Sequence, residues 1–341
     1  MRVLVIGGTR FIGPAVVERL AGGGHGVTVF HRGKSEHETP AGVAHIHGDR
    51  NELDAFRADI ERVAPDVVLD MAPMSGDDAA TVMRACRGLT RRVVMISSVD
   101  VYRAYGRLHG SEPGPLEPLP LTEEAPLREK LYPYRGERGG RLDAYDKIPA
   151  ERAVMSDADI AGTVLRLPAV HGERDYQHRL FMELARMDAR RPAILVQQDM
   201  MQWRWCRSYA GNVADAIVLA VTDDRAAGRV YNVAEPETLT QEAWLRGVAR
   251  LAGWEGEIVA MPPDLLPPHL RSSNNYAQDM VADSTRIRRE LGYTERVPQD
   301  GGIARAIAWE RANPPARIDP KWLDFAAEDA ALAALRRITG S

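Results

Sequence analysis

The chain opens with Arg2-Val3-Leu4-Val5-Ile6, a run of apolar β-formers long enough for one buried parallel strand. Gly7-Gly8-Thr9-Arg10-Phe11-Ile12-Gly13 follows at once, and then a helical stretch from Pro14 to Leu20 that Gly22-Gly23-Gly24 stops. Val27-Thr28-Val29-Phe30 reads as a second strand, ending in His31-Arg32-Gly33. Strand, glycine turn, helix and strand in this order constrain the fold more than any other feature. Glycines let the backbone approach a pyrophosphate closely, and the unpaired N–H groups and dipole at the helix N-terminus favour an anion there. The pattern is the βαβ unit that binds dinucleotides.

The same alternation continues. Val43 to Asp49 predicts a third strand, Glu52 to Val63 a helix, Asp66 to Ala72 a fourth strand, Asp77 to Gly88 a helix and Arg92 to Ile96 a fifth strand. Strands alternating with helices of about a dozen residues predict an α/β fold, a doubly wound parallel Rossmann sheet with ligands at the C-terminal ends of its strands. From Arg103 to about Leu142 the chain turns rich in Pro, Gly and charge, far longer than an ordinary connection, and reads as a lid or binding loop. A helix from Ile148 to Ser156 and a sixth strand from Thr163 to Leu167 follow. Beyond them the pattern loosens into a smaller α+β C-terminal substrate-binding portion, with strands at 193–196 and 230–233 and helices at 180–186, 210–222, 241–252, 284–291 and 302–311. Pro262 to Pro268 reads as a proline-rich linker. The expected division is a dinucleotide-binding domain over 1–170 with the lid-like insertion 103–142, a substrate-binding portion over 171–315 interleaved with it, and a C-terminal helical tail over 316–341.

With 341 residues the chain has material for a large core, and a formal net charge of −4 argues against nucleic acid or a membrane surface as the main partner. Cys86 and Cys206 are too few for a disulfide framework or a metal site, and no apolar run reaches membrane-spanning length. The expected location is the cytoplasm, with no leader peptide before the first strand.

Several motifs together resemble the extended short-chain dehydrogenase/reductase superfamily, the NAD-dependent epimerase/dehydratases. They are the glycine turn, Gly48-Asp49, Ser97-Ser98-Val99-Asp100-Val101-Tyr102, Lys147-Ile148-Pro149-Ala150-Glu151, Leu165 to Gly172, Tyr231-Asn232-Val233-Ala234 and Leu291-Gly292-Tyr293. The resemblance implies a cofactor site made by Gly7, Thr9, Arg10, Phe11, Ile12, Arg32, Asp49, Met71, Ala72, Ser97, Lys147, Pro168 and Val170. The family places a glycine where Arg10 stands, and Arg10 with Arg32 offers two cations near the adenosine ribose. An acidic residue after the second strand would bond the 2′-hydroxyl of NAD; His31-Arg32 stands there instead, and arginine accommodates the 2′-phosphate of NADP. NADP is therefore the favoured cofactor, with NAD the alternative.

The resemblance also assigns Ser98 to hold the substrate oxygen, and Lys147 to grip the nicotinamide ribose and lower the pKa of a tyrosine. That tyrosine belongs four residues before the lysine, where this chain has Asp143. Tyr145 is the nearest phenol, and Pro149 suggests a helix start near Lys147 that frees Tyr145 from helical spacing. Asp100 falls where the family's dehydratases carry an acidic proton carrier. Tyr145 and Asp100 both remain candidates, with Tyr102, Tyr132 and Tyr134 as outside ones. Arg135, Arg138, Arg141, Arg204 and Arg207 could clamp a substrate phosphate or carboxylate. The expected protein is a homodimeric oxidoreductase or epimerase for an anionic or sugar-like small molecule. Two rivals stand beside it: a catalytically silent dinucleotide sensor, which Asp143 motivates, and RNA binding, against which the acidic balance speaks.

Overall fold

The computed structural model describes residues 1–34, 39–136 and 139–339. Strand β1 (Arg2–Ile6) leads through the glycine turn into α1 (Ile12–Gly22), then β2 (Gly26–His31) and β3 (Ala44–His47). After α2 (Arg57–Val63) come β4 (Val67–Asp70), α3 (Gly76–Cys86), β5 (Arg92–Ser98), α4 (Arg103–Leu108), α5 (Lys147–Met155) and β6 (Ala161–Leu167). The second half holds β7 (Ala169–His171), α6 (Phe181–Asp188), β8 (Ala193–Gln197), β9 (Arg207–Tyr209), α7 (Ala210–Thr222), β10 (Arg229–Asn232) and α8 (Gln241–Ala252). It ends with β11 (Glu257–Met261), α9 (Thr285–Leu291), α10 (Gln299–Ala312) and α11 (Phe325–Thr339).

Among the described residues seven strands form one parallel sheet in the order β10-β6-β5-β4-β1-β2-β3. Successive side chains of a strand point to opposite faces, and both faces are covered. Val3 and Val5 pack towards α1 and α7, whereas Leu4 and Ile6 pack towards α3 and α5. This two-sided burial is why the strands read as continuous apolar runs. Strand β10 returns to the edge beside β6, so the C-terminal portion shares the main sheet.

Local differences from expectation have physical reasons. Residues 52–63 do not form one helix: Arg50–Phe56 is a 3-10 stretch, with Glu52 outside helical geometry, before α2 begins. Short strands β7 and β9 pair in parallel, as do β8 and β11, and three-to-five-residue segments are weak in sequence. The proline-rich stretch near 262–270 is two 3-10 turns against the pocket that α11 covers, where Leu266, Ala331 and Leu332 are buried together. Helix α5 starts at Lys147, because the Asp146 carboxylate accepts the Ile148 N–H at 2.9 Å as its N-cap. The insertion carries α4 and is tied down at several points: Leu121 is buried and bridges to Ala282, and Arg103 pairs with the buried Glu117 at 2.7 Å.

Candidate active site

Gly7 and Gly8 have φ of 90° and 79°, a region other residues rarely enter, and they turn the chain sharply out of β1. Gly13 is required for a different reason. A Cβ there would lie 2.4 Å from the Gly8 carbonyl carbon, so only glycine lets α1 begin this close to the turn. The turn opens on a cleft of about 410 Å3. Gly7, Thr9, Arg10, Phe11, Ile12, Arg32, Asp49, Met71 and Ala72, all expected from the sequence, line it together. So do His31 and Gly48, each named above beside an expected contact, and Phe30, Lys34, Arg50 and Tyr176, which sequence reasoning missed. Lys34 was within reach, two positions beyond Arg32 in the same basic segment; Tyr176 was not, because it arrives from a distant loop.

The cleft has a polar floor. Arg50 donates to both carboxylate oxygens of the buried Asp70, at 3.0 and 2.8 Å, and to the Ala72 carbonyl at 2.8 Å. Asp70 is thus a satisfied structural partner of Arg50. Asp49 uses its carboxylate to cap the following 3-10 stretch, accepting the Asn51 N–H at 3.0 Å. His31 bonds His45 at 2.8 Å, which fixes the end of β2 where Arg32 and Lys34 leave it exposed.

The second group of expected residues meets at the ends of β5 and α5. Ser98 ends β5, and its hydroxyl accepts the Asp100 N–H at 3.2 Å. Asp100 is 6% exposed, and its Oδ2 accepts a 2.7 Å hydrogen bond from the Tyr145 hydroxyl. Its Oδ1 is buried without a partner among the described residues. Burial raises the Asp100 pKa against the opposing pull of the Tyr145 hydrogen bond, Arg128 and Lys147. Burial, then the Asp100 charge, raises that of Tyr145 well above a free phenol. Lys147, also buried, donates to the carbonyls of Pro73 and, at 3.2 Å, Ile96; burial lowers its pKa. Its ammonium lies 5.7 Å from the centre of the Tyr145 ring. Desolvation and Asp100 set the direction of the Tyr145 shift.

Between Tyr145 and Lys147, the Asp146 side chain is fully buried and pairs with Arg128 of the insertion at 3.1 Å. Arg128 also donates to the Asp100 carbonyl at 2.6 Å. One guanidinium therefore ties both rival proton carriers to the same segment. Tyr134 packs its ring 5.4 Å from that of Tyr145 and shares a 2.7 Å hydrogen bond with Tyr105.

Four expected cofactor contacts lie outside the cleft lining. Lys147 is one, engaged as described. Ser97 donates to Glu151 at 2.5 Å, within a network that Arg166 completes. Pro168 and Val170 are buried, Val170 in the core under β7. The arginines expected as a clamp do not converge. Arg135 covers the Tyr132 ring at 3.7 Å, and the half-buried Arg207 lies over Trp244 at 4.4 Å with Gln241 at 2.7 Å. Arg204 is exposed, while Arg138 and the Arg141 side chain lie outside the described residues.

A glycine turn closed against α1 at Gly13, an open cleft at the N-terminus of α1 and a buried lysine beside a phenol–carboxylate pair fit a dinucleotide and proton chemistry. Comparison agrees: the model of the NAD dependent epimerase/dehydratase family matches residues 3–234, and the chain belongs to that family. Among individual relatives, the 2′-dehydrokanamycin reductase of Streptomyces kanamyceticus is 28% identical, over 87% of this chain and 79% of that protein. The chloroplast stem-loop binding protein of 41 kDa b of Arabidopsis thaliana is 24% identical, over 77% and 66%. The UDP-glucose 4-epimerase of Thermus thermophilus, solved with NAD, shares the fold with a TM-score of 0.66 at 20% identity, over 92% of this chain and all of that one (100%).

Proposed function

We propose that the chain is an NADP-dependent oxidoreductase or epimerase that works on a keto or hydroxyl carbon of a sugar-like, polar metabolite. In this reading Tyr145 and Asp100 share the proton work as one unit. The observation that carries it is the 2.7 Å hydrogen bond between them at the mouth of β5. A relative named for reducing a dehydro compound, 2′-dehydrokanamycin, supports reduction as the direction. Arg32 and Lys34 on the cleft wall support the 2′-phosphate of NADP.

When bound, the nicotinamide supplies hydride exchange at the substrate carbon. The chain supplies the rest. The Tyr145 hydroxyl gives a proton to the substrate oxygen in reduction and takes one in oxidation. Asp100, whose Oδ2 accepts the Tyr145 hydrogen bond, orients that hydroxyl, and the phenolate left by a reduction regains its proton from water once product has gone. Ser98 keeps its hydroxyl hydrogen free to steady the substrate oxygen, since its own oxygen already accepts from Asp100. Lys147, held by two backbone carbonyls, keeps positive potential near the phenol ring. The cysteines are buried and free, which supports a reducing cytoplasm; the family resemblance supports a homodimer.

Consumption of NADPH against a panel of keto-sugars tests the reading. Turnover that Tyr145→Phe and Asp100→Asn both abolish supports it. Turnover that neither changes overturns the proton assignment, and binding of dinucleotide without turnover on any member favours the silent sensor. Light scattering reads the oligomeric state.

A further inference from the structure

A second cavity, of about 350 Å3, lies against the glycine turn. It shares Thr9, Arg10, Phe11 and Tyr176 with the dinucleotide cleft. Its remaining walls, Arg174, His178, Trp309, Asn313 and Pro314, come from the loop after β7 and from the end of α10 and beyond. Arg32 and Lys34 line only the first cavity, and Arg174 only the second. The cations are therefore sorted to two different places along one continuous trough.

The loop that carries Arg174 is built to stay in place. Asp175, 3% exposed, accepts the Gln177 N–H at 3.1 Å and the Arg179 guanidinium at 2.7 Å, while its carbonyl accepts the His178 N–H at 2.8 Å. His178 bonds Glu310 at 2.5 Å and stacks on Trp309 at 5.7 Å. Arg174 and His178 hold φ of 63° and 50°, left-handed values that non-glycine residues keep only where the surroundings impose them. Between them Tyr176 stands 59% exposed, edge-on to Phe11 at 6.3 Å. Phe11 itself caps α1 with φ 50°. The exposed Arg174 has no carboxylate partner among the described residues. A rigid loop thus carries an aromatic ring and a guanidinium to the end of a helix that carries no acidic residue in its first turn.

We propose that Arg174 and Arg10 form a two-guanidinium clamp on the pyrophosphate of the dinucleotide, with Tyr176 standing beside it. The inference rests on the dinucleotide reading above and adds to it. Arg10 serves the diphosphate, and the 2′-phosphate falls to Arg32 and Lys34. A diphosphate is the group that the N-terminus of α1 favours, and guanidinium forks match its oxygens.

Calorimetry tests the clamp without any turnover. NADP, NAD and adenosine 2′-monophosphate are titrated into the wild type, Arg174→Ala and Arg174→Lys. Arg174→Ala should weaken NADP and NAD by the same factor, about ten- to a hundredfold, with partial recovery in Arg174→Lys and no change for adenosine 2′-monophosphate. Equal loss for adenosine 2′-monophosphate would mean that the adenosine site itself had shifted, and would overturn the clamp. If the wild type binds both dinucleotides and Arg174→Ala binds them as well, the clamp alone is removed. A wild type that binds neither removes the parent reading and the clamp with it.

Discussion

The Tyr145 hydroxyl donates to Oδ2 of Asp100 at 2.7 Å, although 45 residues separate them and the family pattern expects neither to depend on the other. The pairing joins two rival readings of the sequence into one unit. Groups that act as a unit give non-additive losses. Tyr145→Phe and Asp100→Asn should each lower turnover by about two to four orders of magnitude, and the double variant should be little worse than either. Steady-state kinetics of all three on one keto-sugar checks this; multiplicative losses would mean separate roles.

The raised pKa of Asp100 also sets a pH dependence of stability. Its folded value lies above the ordinary 3.8, so the folded state binds the proton more tightly than the unfolded chain. Stability from this group is present below the unfolded value and is lost as pH rises through the folded one. Asp100→Asn should therefore melt at the same temperature as the wild type at low pH, and at a higher one above the folded pKa. A melting difference that shrinks as pH rises would contradict the assignment.

Arg128 and Asp146 are almost wholly buried, so removal of one partner strands a charge. Arg128→Met should cost about 3–5 kcal/mol in denaturant unfolding. Arg128→Met with Asp146→Asn should recover part of that loss, since no ion is then left unpaired. Absence of recovery would assign the cost to packing or to the lost N-cap of α5.

Cofactor selection has its own readout. Arg32→Asp should weaken NADP about ten- to a hundredfold, the worth of a charge-assisted phosphate contact of roughly 1.5–3 kcal/mol, and leave NAD little changed. Calorimetry decides; equal weakening of both would show that Arg32 lies over the adenine instead.

Gly13→Ala places a Cβ 2.4 Å from the Gly8 backbone. Crowding of this kind costs about 1–3 kcal/mol, and here it displaces the turn itself. Both dinucleotides should weaken together in calorimetry, unlike the selective loss at Arg32.

Much of this architecture was legible in the residues. The apolar runs at 3–6, 67–69 and 93–96 announce strands because burial on both faces removes any need for polar alternation. Nine of the expected cofactor residues line one cleft because glycine turns and strand ends are local features. What escaped was long-range. Tyr176 reaches the cleft through a loop shaped by Asp175, and Arg50 reaches Asp70 across 20 positions. The place of Tyr145 depended on where α5 begins, which Asp146 and a distant Arg128 decide together.

That last connection has an evolutionary consequence. Arg128 holds Asp146 and the backbone of Asp100, so the insertion is fastened beside the Tyr145–Asp100 pair as well as to the sheet. A family member can exchange such a segment to admit a new substrate only if the replacement brings its own fastening. In domain-shuffling experiments the natural unit of transfer is therefore residues 100–147 as a single cassette, with both attachment points inside it. Grafts that stop short of Asp146 would import a new pocket wall and leave Tyr145 adrift.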